Sequence, residues 1–282
     1  MKKRFQFIAM ALLLCMVLAA AACSSAADQQ SVEAIKKAGK ITMYTNAQFP
    51  PFEYLGSDNK PAGVDVDIAK AIAEELGVEL EVKDVNFDTI IGSIQSGKGS
   101  MGIAGITVTD ERKESVDFSI EYTTSRQYII IPADAQVQKL EDMAGMRIGV
   151  QLGTTGDFIM SDEVNGYKDD NDQPVKGVIQ DTGASVTQYP SALEAAMALK
   201  SGKLDAVVID KLPAEIIVAN QDGLKTLELK YADGSTTEES YAICVAKGND
   251  SLLEVVNRVL QRLIADGKID EFIIQHTGAA SQ

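Results

Sequence analysis

Apolar residues along the chain recur with two alternating periods. From Ile41 onward, β-rich runs alternate with stretches in which apolar residues return every three or four positions, as in an α/β protein with mostly parallel sheets. Strands are predicted near 41–46, 78–85 and 101–105. The clearest helix lies between the first two. There Val64, Ile68, Ile72 and Leu76 recur every four residues, Asp65 and Asp67 open the first turn, and Gly77 stands where a left-handed C-terminal residue is wanted. Gln127 to Ile131, followed by Pro132, reads as a strand leaving one unit. A second series follows, with a strand at 147–150, a helix from about 155, a strand at 204–209 and a helix at 213–220. Residues 162–188, acidic and carrying Gly, Asn and Pro, read as an irregular insertion. Ser191-Ala-Leu-Glu194 is a capping-box start for a helix running to Leu199. A strand at 241–246 precedes a helix from Ser251 to Ala265 with Leu252, Val255, Val256, Val259, Leu260 and Leu263 on one face. Ile94-Gln-Ser-Gly-Lys98 and Leu199-Lys-Ser-Gly-Lys203 each end a helix before a strand. The echo suits two similar lobes, and equally any two helix ends.

The N-terminal segment breaks this pattern. Lys2, Lys3 and Arg4 precede an apolar run from Phe7 to Leu18, then Ala19 to Ala22 and Cys23, which reads as a secretory signal over residues 1–22. The run is short for a spanning helix, and the polar residues after it suit a flexible tether over 23–38. Leu18-Ala-Ala-Ala-Ala-Cys23 resembles a bacterial lipoprotein processing site with Ala20 where leucine is usual, so Cys23 is the expected lipidation site; cleavage after Ala-x-Ala with Cys23 a bystander is the alternative. Cys15 lies inside the signal, so only Cys244 remains in the mature domain and a disulfide framework is excluded.

With 282 residues, 45% apolar and 24% charged, the chain is a folded protein of one large or two ordinary domains. Its 26 basic against 41 acidic residues give −15, and loss of the three basic residues in 1–22 leaves 23 against 41, or −18. Affinity for a phosphate backbone is therefore not expected, and nucleic acid is not an expected partner.

Few motifs carry chemistry. Gly92-Ser-Ile-Gln-Ser-Gly97-Lys98-Gly99 misses the P-loop hydroxyl at Gly99 and places its glycines at a helix end. His276, the only histidine, has no nucleophile assigned to it and is expected at the surface. Asp65 and Asp67 point to different sides of a helix, so favourable charge at its N-terminus is their expected role. With one histidine and no clustered thiols, no metal site is expected, and no cofactor. Two stretches stand out. In Ala104-Gly-Ile-Thr-Val-Thr-Asp-Glu-Arg112 an arginine sits in the first turn of a short helix, against the helix dipole; it either faces a ligand or pairs with Asp110 or Glu114. Gln151-Leu-Gly-Thr-Thr-Gly-Asp157 joins a strand to a helix, and its amides and hydroxyls could hold an anion. Both lie at strand C-terminal ends, where open α/β sheets place ligands.

The frame Phe49-Pro-Pro-Phe52-Glu53, Gly63-x-Asp65-x-Asp67-Ile68-Ala69, Gly105-Ile106-Thr107-x-Thr109-x-x-Arg112, Phe118-Ser119 and Gly153-Thr154-Thr155 resembles the polar amino-acid class of bacterial extracellular solute-binding proteins (family 3), the receptors of ABC importers. The resemblance covers roughly residues 31–277. It implies an α/β, two-lobed periplasmic-binding-protein fold (type II), each lobe a mostly parallel sheet flanked by helices, joined by two hinge strands. Lobe 1 would span 39–125 and 240–277, lobe 2 126–239. By motif, Arg112 would clamp the ligand α-carboxylate with backbone amides near Thr107 and Thr155, beside Thr154. Asp210 would take the α-ammonium with the Thr107 hydroxyl and the Gly105 carbonyl. Phe49 and Phe87 would surround the ligand side chain or simply pack in the core, and Asn46 would touch its tip. One carboxylate and one arginine at opposite ends of a cleft also match a zwitterion on charge alone.

The sequence departs from the family pattern at Gly99-Ser100, which replaces an apolar-Asp pair, at Ala104-Gly105, with fewer hydroxyls, and at Phe49, where tyrosine is usual. The expected function is an extracytoplasmic, lipid-anchored, monomeric receptor on the outer face of the cell membrane or in the periplasm. It would capture a free L-amino acid by hinge closure and deliver it to a membrane permease, without chemistry. The alternatives are a dehydratase-type enzyme on the same fold acting on a prephenate-like acid, and a sensory binding protein.

Overall fold

The computed structural model describes residues 25–169 and 171–280. Cys23 and the signal segment lie outside the described residues. Two sheets organise the chain. In the first, the strands run Glu79–Asp84, Lys40–Thr45, Met101–Gly102, Cys244–Ala246, Val116–Phe118. The first three are parallel, and Cys244–Ala246 is antiparallel to both its neighbours. In the second, Ser185–Tyr189, Arg147–Gln151 and Ala206–Asp210 are parallel, followed by the antiparallel strands Thr123–Pro132 and Leu224–Glu228.

Two strands cross between the lobes. Thr123–Pro132 leaves the first lobe and runs into the second sheet, and Glu238–Tyr241 returns antiparallel to it, with Tyr241 facing Thr123. Their lobe 1 end is pinned to the strand-end loop by the bridge between Thr107 and Tyr241.

Each sheet is covered on both faces, which explains why its central strands read as continuous apolar runs. Val64–Leu76 and Asp250–Ala265 cover one face of lobe 1 through Ile68, Ile72, Val256 and Leu260, and Ile90–Gln95 covers the other. In lobe 2, Thr155–Asn165 packs on one face, and Ala192–Lys200 with Lys211–Ala219 on the other. Gly77 is left-handed, with φ 68°, and ends its helix as the periodicity predicts.

Several expectations are corrected. The tether expected over 23–38 is, from residue 26 onward, two short helices, Ala26–Gln29 and Val32–Ala38; Ile35 is buried and Gln30 is bonded to Gly97, Ser100 and Asn249. The insertion expected over 162–188 is irregular between its ends but carries regular pieces. The helix persists to Asn165, a hairpin pairs Tyr167–Lys168 with Pro174–Val175, and Ser185–Tyr189 is an edge strand. That strand escapes hydrophobic patterning because only Val186 and Tyr189 of its five residues are apolar. The strand expected at 101–105 is laddered only at Met101–Gly102, since Gly105, at φ 54°, turns the chain. The strand at 241–246 is broken in two, and the helix predicted at 213–220 starts two residues earlier, directly after Asp210.

His276 is not at the surface. It is buried on the C-terminal helix Lys268–Ala280, with Nε2 2.8 Å from Asp67 Oδ2 and Nδ1 2.9 Å from the Tyr54 hydroxyl. Asp65 is more than a helix-end charge. Fully buried, it accepts a hydrogen bond from the Gly105 N–H at 2.8 Å and from the Tyr122 hydroxyl at 2.9 Å.

Candidate ligand-binding site

The strand ends and first helical turns of both lobes converge on one cleft. Phe49, Phe87, Ala104, Gly105, Thr107, Arg112, Gln151, Thr154, Thr155 and Asp210 line a space of about 290 Å³. Eight of the nine residues expected to contact a ligand are in this set. Asn46 is not, but it reaches the wall through Gln151, whose Nε2 donates to Asn46 Oδ1 at 3.0 Å.

Arg112 comes from the short helix Asp110–Ser115, capped by the Thr109 hydroxyl. Only 8% of it is exposed. Neither Asp110 nor Glu114 pairs with it: Nη1 donates to the Thr107 carbonyl at 2.7 Å and Nη2 to the Gly153 carbonyl at 2.9 Å. Its Cζ lies 5.6 Å from the Phe87 ring centroid, within cation–π range. Burial pulls its pKa below the ordinary arginine value, while Glu239 and Asp210 oppose the shift. Among the described residues the side chain is thus a buried cation without a bonded counter-anion.

On lobe 2, Asp210 closes the strand Ala206–Asp210 and is 5% exposed. It accepts from the Tyr241 hydroxyl, and Glu239 lies beside it. Burial, then the Glu239 charge, hold its pKa well above the usual carboxylate range. Glu239 accepts from the Thr107 hydroxyl and from Gln127 Nε2. Thr107 in turn accepts from the Thr155 hydroxyl at 3.0 Å, so one hydroxyl relay runs from lobe 2 through lobe 1 to the hinge.

The two lobes therefore touch across the cleft through Arg112 to Gly153, Thr155 to Thr107, and Gln151 to Asn46, in addition to the contacts at the hinge. The apolar walls are Phe49, held against Phe52 with ring centroids 5.8 Å apart, and Phe87. At Gly105 an added Cβ would sit 2.7 Å from the Phe49 ring, so the glycine sets how closely that ring approaches the loop. The arrangement presents a cation, a carboxylate, hydroxyls and amides around one cleft. It is suited to a small molecule carrying both charges.

Sequence reasoning missed Gln151, Ala104 and Glu239 as site residues. Gln151 carried a signal: a polar side chain ending a buried strand at the ligand-bearing edge of a sheet. Glu239 carried none, because its place beside Asp210 depends on the return of a hinge strand from far along the chain.

Residues 41–279 match the family described as bacterial extracellular solute-binding proteins, family 3. The chain is similar to the arginine-binding extracellular protein ArtP of Bacillus subtilis (strain 168), at 30% identity over 91% of this chain and 92% of that protein. It is also similar to the L-cystine-binding protein TcyJ of Escherichia coli (strain K12), at 27% identity over 90% of this chain and 89% of that protein. Among solved structures, the amino acid ABC transporter substrate-binding protein AbpA of Streptococcus pneumoniae, bound to L-arginine, superposes with a TM-score of 0.78. The two share 32% identity over 89% of this chain and 99% of that one.

Proposed function

We propose an amino-acid receptor, starting from the fact that this chain belongs to the bacterial extracellular solute-binding proteins of family 3. It captures one free L-α-amino acid between its lobes and presents it to the permease of an ABC importer. The observation that carries this reading is the pairing, across one cleft, of a buried arginine on lobe 1 with a buried carboxylate on lobe 2. Arg112 takes the α-carboxylate: Nη1 is fixed on the Thr107 carbonyl of its own lobe, which orients the fork before the ligand arrives, and Nη2 reaches the Gly153 carbonyl of the other lobe when the lobes meet. Asp210 takes the α-ammonium, helped by the Thr107 hydroxyl and the Gly105 carbonyl, and Thr154 and Thr155 complete the carboxylate end.

Closure is a population shift. A ligand held by both lobes adds contacts available only when the lobes meet, so it favours the closed form over the open one. No bond in the ligand is made or broken, and the molecule is a receptor, not a dehydratase. The names of its relatives span arginine and cystine, so membership leaves the side chain open. The site of action is extracytoplasmic, and among the described residues no helix is long and apolar enough to cross a membrane. Anchorage comes from a lipid on Cys23, on the strength of the sequence Leu18-Ala-Ala-Ala-Ala-Cys23.

Thermal stabilisation of the purified protein by the twenty L-amino acids, organic acids and prephenate tests the reading. A bound ligand at a hundred times its dissociation constant adds about 2.7 kcal/mol to stability. A shift with one or a few amino acids, recovered unchanged, is the expected result. A shift only with an organic acid that is then consumed would overturn it in favour of the enzyme.

A further inference from the structure

The wall of the cleft carries a polar feature that the zwitterion clamp does not use. Asn46 and Gln151, 2% and 1% exposed, form a chain of amides across the lobes. Its polarity is fixed at one end. The Val85 carbonyl can only accept, so the group of Asn46 that meets it at 2.8 Å is Nδ2. Asn46 Oδ1 is then the acceptor facing Gln151, and Gln151 must offer Nε2 to it. This leaves Gln151 Oε1, on a residue lining the cleft, as a buried acceptor with no hydrogen-bond partner among the described residues. An unpaired buried acceptor is costly, and a group entering the cleft with an N–H removes that cost.

We infer that Gln151 reads the side chain of the bound amino acid, and that the preferred class carries an uncharged carboxamide. The inference rests on the receptor reading and deepens it. A carboxamide matches Gln151 on both sides: its N–H meets Oε1, and its carbonyl meets the second N–H of Nε2, the first being held by Asn46. Charged tips fit worse. A guanidinium or ammonium finds no counter-anion there, because among the described residues the one carboxylate lining the cleft is Asp210, which the receptor reading places at the α-amine end. An acidic tip meets an acceptor oxygen and adds to the buried negative charge of Asp210 and Glu239. An aliphatic tip of the same length leaves Gln151 Oε1 unpaired.

Calorimetry of the purified protein with L-glutamine, L-asparagine, L-glutamate, L-arginine and L-norleucine tests this. A carboxamide amino acid is expected to bind tightest, with glutamate, arginine and norleucine each at least about tenfold weaker. Gln151→Glu should transfer preference to arginine, and Gln151→Leu should bring glutamine and norleucine within a few-fold of each other. Arginine binding tightest to the unaltered protein, or a ranking that neither variant changes, would overturn the role of Gln151 while leaving the receptor reading intact. Failure of every amino acid to bind would overturn that reading and this inference together. Circular dichroism of both variants should match the parent, so that a lost preference is not mistaken for lost structure.

Discussion

Two buried carboxylate pairs, each with a tyrosine hydroxyl, sit within the same molecule and have opposite fates. In lobe 1, Asp65 and Glu53 are sealed behind Gly105, with Tyr122 donating to Asp65. Between the lobes, Asp210 and Glu239 stand together, with Tyr241 donating to Asp210. In both pairs burial is the largest cause of a raised pKa. The difference is access. Glu53 has no hydrogen-bond partner on either oxygen among the described residues, and burial, then the neighbouring Asp65 charge, hold its pKa well above the usual carboxylate range, while Asp65 holds the Gly105 N–H in place. Asp210 lines the cleft, where an ammonium can supply the missing counter-charge. Similar chemistry thus gives a structural buttress where it is closed off and, in the proposed receptor, an ammonium site where it is open.

The largest expected effects separate the clamp from the buttress. Arg112→Ala and Asp210→Ala should each weaken amino-acid binding by at least about 100-fold, because truncating one partner of a buried charge pair leaves the other unpaired. Calorimetry reads the loss, and an unchanged far-ultraviolet spectrum shows that the fold persists. Asp65→Asn should behave differently: binding stays within a few-fold, since the amide still accepts from Gly105 and also offers Glu53 a donor.

The buttress should appear instead in stability against pH. Asp65 is raised from 3.8 to about 6, so the native state holds a proton that the unfolded chain releases. Stability therefore falls as pH rises through that window, by at most about 3 kcal/mol. Asp65→Asn should flatten this segment of the profile, as urea unfolding between pH 4 and 7 would reveal, and an unchanged slope would assign the titration elsewhere.

Gly105 joins the two regions. Gly105→Ala places a methyl group 2.7 Å from the Phe49 ring at a backbone φ of 54°. It should cost about 1–3 kcal/mol of stability and weaken binding together. The smallest effect concerns Glu239. Protons compete with the ligand ammonium for Asp210, so affinity should fall as pH is lowered through the raised pKa of Asp210. Glu239→Gln removes a neighbouring negative charge and should move that fall to lower pH with little change in affinity at pH 8.

Legibility followed the range of the interactions. The Val64–Leu76 helix was readable because burial repeats every four residues and Gly77 ends it locally. The placement of Arg112 and Thr155 at strand ends followed from chain order. The bonds of Arg112 to the Thr107 and Gly153 carbonyls, the burial of His276 against Asp67, and the edge strand Ser185–Tyr189 were not readable, since each depends on partners distant in sequence or on a strand whose exposed faces lack an apolar period. The same holds for Gln151 Oε1. Its lack of a partner is a property of the folded cleft alone.

The most direct test of the account compares one bound amino acid with two stripped analogues of itself, the decarboxylated amine and the deaminated acid, by calorimetry on the unaltered protein. A clamp that needs both Arg112 and Asp210 predicts that each analogue loses at least about 100-fold in affinity. Either analogue binding within a few-fold of the parent amino acid would show that the cleft does not recognise a zwitterion, and would contradict the account.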